Sequence, residues 1–282
     1  MGSITLLTTD DHSRSSAGMV YVYPVVSRRA KGVSIGINLN PNNACNWRCV
    51  YCQVPDLKRG SAPKIDLQLL EAELDSFLKY AVGGDFLRDK VADGLRQLVD
   101  VAFSGNGEPT SAIEFHDAVC LVKAALVRHE LVGKVLIRLI TNGSLLDKKR
   151  VQRGISELAA GNGEVWFKLD SATEEGVSRI NGSRGSGAAV SRRLAQCIDL
   201  APTWIQTCLF QIDGDGPTEV ELMAYVSAVE PFASRLAGVH LYSLARPSLQ
   251  KMAPRLSRLE ASAMEVIALR LRQLGLRVEV SP

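Results

Sequence analysis

The residues of this chain best suited to chemistry are three cysteines in the stretch Asn43–Gln53. Cys45, Cys49 and Cys52 follow the spacing C-x3-C-x2-C and make up half of the six cysteines in 282 residues. Thiolates are soft ligands that suit iron–sulfur clusters, zinc or copper(I). Three thiolates on a four-iron cluster would leave one iron without a protein ligand, and a small molecule could bind there.

A structural zinc site is the competing interpretation of the same cysteines. Such a site needs four ligands, and the nearest histidines are His12 and His116. A non-catalytic zinc- or RNA-binding module with one ligand from elsewhere in the chain therefore stays open. The other thiols, Cys120, Cys197 and Cys208, are not closely spaced, and we expect them to be buried structural cysteines.

The composition is that of an ordinary globular protein, with 46% hydrophobic and 22% charged residues. The net charge of +3 is too small to indicate a nucleic-acid or membrane partner by itself. No run of about 18 apolar residues occurs, and the N-terminus lacks a basic segment followed by an apolar core, so we expect neither a membrane span nor a signal peptide. Clustered cysteines without a secretion signal predict metal-ligating thiolates in a reducing cytoplasm.

Strand and helix patterns alternate six times after residue 32, which predicts parallel strands covered by helices. The predicted strands are Val33–Leu39, Val99–Ser104, Val135–Ile140, Val165–Asp170, Trp204–Phe210 and Val239–Leu244. Six units are fewer than the eight of a closed barrel, so we expect an α/β fold with a partial (β/α)6 TIM-like barrel; a doubly wound open sheet is the alternative. No linker divides the chain: residues 1–32 are predicted to be an N-terminal extension packing on the barrel, and residues 33–282 a single core domain that ends in a helix and a short strand.

Helical spacing of apolar residues predicts one helix over Asp66–Ala81 and a second over Phe86–Leu98. Three Ser/Thr-x-x-Glu sequences, which begin at Ser111, Thr218 and Ser257, predict capping boxes at the start of later helices.

Polar side chains interrupt the predicted strands, although strands of a parallel sheet are buried on both faces and usually apolar throughout. They share one alternate-residue face within each strand: Asn38 and Asn40, Arg138 and Asn142, Lys168 and Asp170, with Gln206 as a weaker extension. A buried charge needs a partner, and pairing of Arg138 or Lys168 with Asp170 is one solution. Either a structural network or a polar ligand cavity would explain the pattern.

The unusual stretches of the sequence all follow or end a predicted strand. They are the cysteine stretch, the turn Gly105–Pro109, Thr141–Gly143 and Lys168–Asp170. In an α/β barrel these positions converge on the C-terminal face, where active sites are built. We therefore expect a polar cavity at that face, with the cysteines beside it.

Together these residues resemble the radical S-adenosylmethionine superfamily, whose motif is C-x3-C-x-aromatic-C; Tyr51 occupies the aromatic position. The turn Gly105–Pro109 is similar to the family's glycine–glutamate motif, with Asn106 between the two glycines. The subgroup resembled is that of the iron–sulfur oxidoreductases that include the wyosine-type tRNA base-forming enzymes. Residues 1–44 contain no cysteine, unlike the archaeal members, so the tRNA substrate does not follow from the resemblance.

The resemblance implies a role for each group of residues. Cys45, Cys49 and Cys52 would bind three irons of a [4Fe-4S] cluster, whose fourth iron would chelate S-adenosylmethionine. The implied cofactor contacts are Gly105, Gly107, Glu108, Asn142, Lys168 and Asp170. An electron from the reduced cluster would cleave S-adenosylmethionine into methionine and a 5′-deoxyadenosyl radical, which would abstract hydrogen from a substrate.

Partners are implied in the same way. The cluster would need an electron donor of the flavodoxin or ferredoxin type, and no membrane partner is expected. The substrate stays open among a modified RNA base, a partner protein that receives a radical, and a small metabolite. No catalytic side chain beyond the cofactor contacts is assigned.

Overall fold

The computed structural model describes residues 7, 18–27, 30–185 and 187–282 of the chain. Within these residues, the largest sheet contains, in spatial order, β1 (Val22–Ser27), β2 (Gly32–Asn38), β5 (Leu98–Ser104), β6 (Leu136–Thr141), β7 (Gly163–Lys168), β8 (Thr203–Cys208), β10 (Gly238–Tyr242) and β12 (Val278–Ser281). Two short pairs join β3 (Ala44–Cys45) to β4 (Lys58–Arg59), and β9 (Phe210–Ile212) to β11 (Leu256–Arg258).

The strands of the large sheet from β2 onward run parallel, whereas β1 pairs antiparallel with β2 at one edge. Their spatial order follows their order in the chain without reversal, which is the winding of a barrel and not of a doubly wound sheet. The prediction of a partial (β/α)6 barrel is therefore confirmed. The six units run from β2 to β10, and β12 extends the other edge.

Helices pack against this sheet and connect its strands. They are α1 (Leu67–Val82), α2 (Asp85–Lys90), α3 (Phe115–Arg128), α4 (Lys149–Ala160), α5 (Glu174–Asn181), α6 (Gly187–Leu200), α7 (Glu219–Val229) and α8 (Ala261–Arg272), with short 3-10 turns at Pro109–Ser111, Glu230–Phe232 and Ala253–Arg255. Among the described helices, none combines the length and the apolar character needed to cross a bilayer.

The main hydrophobic core lies between the sheet and these helices. Alternate residues of the strands are apolar and fully buried, as Ile35 and Ile37 are on β2 and Phe103 is on β5. Phe103 meets Phe115 of α3 edge to face, with ring centroids 5.7 Å apart. Because successive strand residues point to opposite faces, this alternation leaves the other face of each strand for the polar residues.

The predicted helix over Phe86–Leu98 is wrong in its second half. Helix α2 ends at Lys90, and Leu98 already belongs to β5. Gly94 adopts φ +84°, a left-handed conformation that no helical residue takes. Arg96 donates to the Val91 carbonyl at 2.9 Å, so the guanidinium binds backbone that a continued helix would have used.

Of the three predicted capping boxes, the one at Thr218 is confirmed and the other two are wrong. Thr218 Oγ1 accepts from the Glu221 amide at 3.3 Å, and the Glu221 carboxylate accepts from the Thr218 amide at 3.0 Å. Ser111 instead accepts from the Ala62 amide at 2.9 Å, and α3 begins later. Ser257 lies in β11 and donates to Gln211 at 3.0 Å.

Thr218→Ala should lower the free energy of unfolding by about 1 kcal/mol, because a lost N-cap leaves helix amides without an acceptor. Ser257→Ala is the matched control, and we expect it to change stability by less than about 0.5 kcal/mol. Urea unfolding of both variants measures the difference. Equal losses in the two variants would contradict the assignment of these caps.

The interior of the barrel contains a buried ionic network around Arg138 of β6. Arg138 binds the Asp100 carboxylate of β5 and donates from Nε to Glu164 of β7 at 2.8 Å. Ser34 also donates to Asp100, whose pKa is raised because burial outweighs the lowering effect of Arg138. Of the two possible pairings with Asp170, the one with Arg138 is therefore wrong, whereas the one with Lys168 is present at 3.9 Å.

Arg138→Met should cost about 3–5 kcal/mol of unfolding free energy, because it leaves the buried Asp100 carboxylate without its cation. The double variant Arg138→Met/Asp100→Asn should be less destabilised than the single variant, since the most buried charge is then gone. Denaturant unfolding at neutral pH compares the two. A single variant within about 1 kcal/mol of the wild type would show that the network contributes little.

Candidate active site

A cavity of about 310 Å³ extends from the carboxyl ends of the barrel strands toward the Arg138 network. Eight of the nine site residues predicted from the sequence line it: Cys45, Cys49, Cys52, Gly105, Gly107, Glu108, Asn142 and Lys168. The ninth, Asp170, lies behind this wall and lines two smaller neighbouring cavities. The cysteines and the strand-end motifs therefore meet in one place, as their positions after predicted strands indicated.

The cysteine loop, residues 39–60, is held by its backbone to the end of α5. The Arg48 amide donates to the Asn181 carbonyl at 2.8 Å, and the Val50 amide donates to the Ile180 carbonyl at 2.8 Å. These two bonds flank Cys49 in the sequence. They fix the middle of the cysteine motif to a helix end, which is more rigid than a free loop.

A second set of bonds comes from the segment 246–250, beyond the last barrel strand. Ser248 donates to the Val50 carbonyl at 2.7 Å, and the Leu249 amide donates to the Cys52 carbonyl at 3.0 Å. Gln250 donates from its side chain to the Val54 carbonyl at 3.0 Å. Buried loop carbonyls need such partners, and this segment supplies them for Val50, Cys52 and Val54.

Glu108 joins the turn after β5 to the end of β6. Its carboxylate accepts from the Thr110 hydroxyl at 2.6 Å, the Thr141 hydroxyl at 2.7 Å and the Asn142 amide at 2.8 Å. Burial raises the pKa of Glu108, while these hydrogen bonds lower it. The side chain therefore holds protein groups in place instead of presenting a free carboxylate to the cavity.

Asn142 connects the end of β6 to the cysteine loop. It donates from Nδ2 to Asn46 at 2.9 Å and accepts from the Ser144 hydroxyl at 2.6 Å. Asn46 in turn donates to the same hydroxyl at 2.7 Å, which closes a ring of three side chains. Asn46 lies between the first two cysteines of the motif, so this ring positions the loop directly.

Asp170 binds the aromatic residue of the motif. It accepts from the Tyr51 hydroxyl, and it accepts from the Cys208 amide at 3.0 Å. Lys168 lies 3.9 Å from Asp170, donates to Tyr242 at 3.1 Å and faces the Tyr51 ring at 5.1 Å. Burial lowers the pKa of Lys168, but the Asp170 carboxylate more than offsets this and raises it, so the ammonium stays charged.

The three cysteines of the motif are half-buried and lie close to one another. Burial raises the pKa of Cys45 to about 11 and that of Cys49 to about 12, and the neighbouring Cys52 contributes to both shifts. Thiols with such pKa values hold their protons at neutral pH. Metal binding must displace those protons, and the bond energy of a metal–thiolate centre is the usual source of that free energy.

The residues present fit an iron–sulfur cluster with a bound small molecule. Among the described residues, no three His, Cys, Asp or Glu side chains surround a point where one metal ion would bind them together. A four-iron cluster takes one thiolate on each of three irons, so its ligands do not need to meet at one ion.

The cavity wall also offers polar atoms without partners and backbone that allows close approach. Asn106 Oδ1 and Gln206 Nε2 line the cavity and are buried with no hydrogen bond within the described part of the chain. Buried polar atoms without a partner are rare, and a polar ligand in the cavity would satisfy these two. A Cβ on Gly107 would lie 2.1 Å from the Ala44 carbonyl, so only glycine lets this turn pack against the cysteine loop.

Several residues of the site were missed in the sequence. The side chains of Asn46, Ser144, Asn181 and Ser248 hydrogen-bond within or to the cysteine loop, and no spacing rule points to any of them. Cys208, predicted to be structural, is buried as expected but lines the cavity.

Two residues of β10 that lie two positions apart, His240 and Tyr242, differ in environment. Tyr242 lines the cavity. His240 instead packs between two tryptophans, with its ring centroid 4.5 Å from that of Trp166 and 4.4 Å from that of Trp204.

Known proteins share both the sequence pattern and the fold. The profile of the Radical SAM superfamily matches residues 39–216. GTPase Obg of Brachyspira hyodysenteriae is 27% identical over 178 residues, which cover 60% of this chain and 23% of that protein. A UPF0026 protein of Synechocystis is 27% identical over 161 residues, which cover 57% of this chain and 52% of that protein. The matched part thus spans about half, or less, of these curated relatives.

Solved structures give the same fold. SuiB of Streptococcus suis bound to the precursor peptide SuiA superposes with a TM-score of 0.57 at 11% identity, over 87% of this chain and 48% of that chain. SuiB bound to S-adenosylmethionine gives a TM-score of 0.57 at 10% identity, over 90% and 52%. Because the superfamily profile covers the cysteine loop and most of the barrel strands, this chain belongs to the radical SAM superfamily of enzymes, which use a [4Fe-4S] cluster and S-adenosylmethionine.

Proposed function

We propose that Cys45, Cys49 and Cys52 bind one [4Fe-4S] cluster and that S-adenosylmethionine occupies the adjoining cavity. The observation that carries this proposal is that all three thiols line the same cavity as the Gly105–Glu108 turn. When bound, the reduced cluster supplies the electron that cleaves S-adenosylmethionine to methionine and a 5′-deoxyadenosyl radical, which abstracts hydrogen from the substrate.

The residues around the cavity divide into those that contact the cofactor and those that position the contacts. Glu108, Asn142 and Asp170 already bind protein groups through their side chains, so we assign them to positioning. Lys168 also binds protein groups, at Tyr242 and Asp170, but it lines the cavity and its ammonium has three N–H bonds, which leaves one for a ligand. It is therefore the side chain that we assign to the cofactor carboxylate.

Glu108 was expected to contact the cofactor directly. In this proposal, backbone groups of the turn after β5 make that contact instead. Gly105 and Gly107 line the cavity, and the absence of a Cβ lets them pack against Asn38 and the Ala44 carbonyl. We assign these carbonyls to the ammonium of S-adenosylmethionine. The Glu108 carboxylate keeps the turn in register with β6, and so orients the carbonyls without touching the ligand.

The electron donor and the substrate belong to the same proposal. A flavodoxin- or ferredoxin-type protein would supply the electron, and an RNA base, a protein or a small metabolite would donate the hydrogen. Anaerobic incubation with fractionated cell extract, assayed for fraction-dependent 5′-deoxyadenosine, separates these substrate classes. Nuclease or protease treatment of an active fraction then assigns the class directly.

Replacing any one of Cys45, Cys49 or Cys52 by Ala should abolish cluster binding and 5′-deoxyadenosine formation, because one iron of the cluster then has lost its only protein ligand. The wild type, reconstituted anaerobically, should hold about four irons with matching sulfide. Cys120→Ala is the control, since this thiol lies outside the cavity, and it should retain both properties.

Two outcomes would overturn the proposed function. Zinc without iron or sulfide in anaerobically purified protein would favour the zinc-binding alternative. A reconstituted, reduced wild-type protein that never forms 5′-deoxyadenosine would exclude the cleavage reaction, whatever its iron content.

Glu108→Gln should weaken S-adenosylmethionine binding about tenfold while the cluster content stays at the wild-type level. The amide removes a charged acceptor, and a hydrogen bond to a charged group contributes about 1.5–3 kcal/mol. Anaerobic titration calorimetry with the reconstituted protein measures the affinity. Glu157→Gln, which disturbs only a surface pair with Lys123, is the control. Wild-type affinity in the Glu108 variant would refute the positioning role.

A further inference from the structure

The side-chain amide of Asn181 bridges a cysteine of the motif and a carboxylate. Its Nδ2 lies 3.4 Å from the Cys49 sulfur and 2.7 Å from Asp170 Oδ2. An amide nitrogen carries two N–H bonds, so one can point to the sulfur and the other to the carboxylate. Asn181 is 1% exposed, which removes water as a competitor for either bond.

The backbone holds this amide firmly in place. Asn181 is the last residue of α5, and Gly182 follows it with φ +58° as the C-cap. The Asn181 carbonyl accepts from the Arg48 amide, one residue before Cys49. Main chain and side chain of one residue therefore bind adjacent positions of the cysteine loop, and the amide has little freedom to turn away from the sulfur.

Two charged groups of β7 and its following loop act on the same sulfur with opposite sign. Asp170 accepts from the same Asn181 amide that contacts the Cys49 sulfur, and Lys168 lines the same cavity as Cys49. Both side chains are mostly buried, at 0% and 17% exposure, so water screens them weakly. A negative charge placed at Cys49 is thus disfavoured by Asp170 and favoured by Lys168.

We propose that Asn181 is a positioning residue that raises the reduction potential of a cluster bound at Cys49, with Lys168 acting in the same sense and Asp170 in the opposite one. This inference rests on the proposed function, because it requires the cluster. One electron from a chemical reductant adds one negative charge to the cluster and its thiolates. An N–H donor and a nearby cation stabilise that charge, while a carboxylate destabilises it.

The test is the midpoint potential of the reconstituted protein without S-adenosylmethionine. Redox titration under anaerobic conditions, with electron paramagnetic resonance of the reduced cluster as the signal, gives this value. Asn181→Leu should lower the equilibrium constant for one-electron reduction about tenfold, which corresponds to about 59 mV more negative. Lys168→Met should shift the potential in the same direction, and Asp170→Asn should shift it to more positive values.

Thr203→Val is the matched control. Its hydroxyl lies 3.5 Å from the sulfur of Cys197, a thiol outside the motif, so the variant also removes a hydrogen bond to a buried cysteine. We expect the wild-type potential in this variant. If the role of Asn181 were purely structural, Asn181→Leu would change the cluster content or the folding of the protein. The reduction potential would then shift in no defined direction.

The inference is overturned if Asn181→Leu retains its cluster at the wild-type potential, or if it shifts the potential in the same direction as Asp170→Asn. Should Asn181→Leu fail to fold, the Lys168 and Asp170 variants carry the test, and shifts of equal sign refute the proposal. A wild-type protein without iron and sulfide is a different failure: it removes the proposed function first, and this inference with it.

Discussion

The carboxylate of Asp170 ties together three parts of the barrel rim. It accepts from Tyr51 in the cysteine loop, from Asn181 at the end of α5 and from the Cys208 amide on β8. A carboxylate this deeply buried is stable only when its oxygens are bonded. The same requirement therefore fixes the cysteine loop, the helix end and the strand relative to one another. The three thiols lie on that loop, so their positions depend on these bonds.

The polar groups inside the barrel fall into two sets. Those near the middle of the strands form a network in which Arg138 binds the carboxylates of Asp100 and Glu164. Asp100 also accepts a hydrogen bond from the Ser34 hydroxyl. Those near the strand ends leave atoms such as Gln206 Nε2 without a protein partner. Because buried polar groups are almost always satisfied, the proposed ligand would complete the second set, whereas the first is complete without one.

Local sequence signals predicted the fold, and most of the residues that they singled out line one cavity, because both depend on short-range patterns. The spacing of Cys45, Cys49 and Cys52 and the alternation of polar residues along the strands were readable without any contact information. The failures involve a choice between partners. Ser111 and Thr218 begin the same capping sequence, but Ser111 binds a distant amide and Thr218 caps its helix. Asn181 had no signal at all, since only the folded chain brings it to Cys49.

The hydrogen bonds from the segment 246–250 to the cysteine loop also have a consequence for biosynthesis. Ser248 binds the Val50 carbonyl across 198 positions of the chain. A growing polypeptide therefore exposes its cysteines long before the residues that brace them have been made. Cluster insertion into a finished pocket has to follow translation of this segment, and until then the thiols sit on an unbraced loop open to oxidation or to stray metal ions.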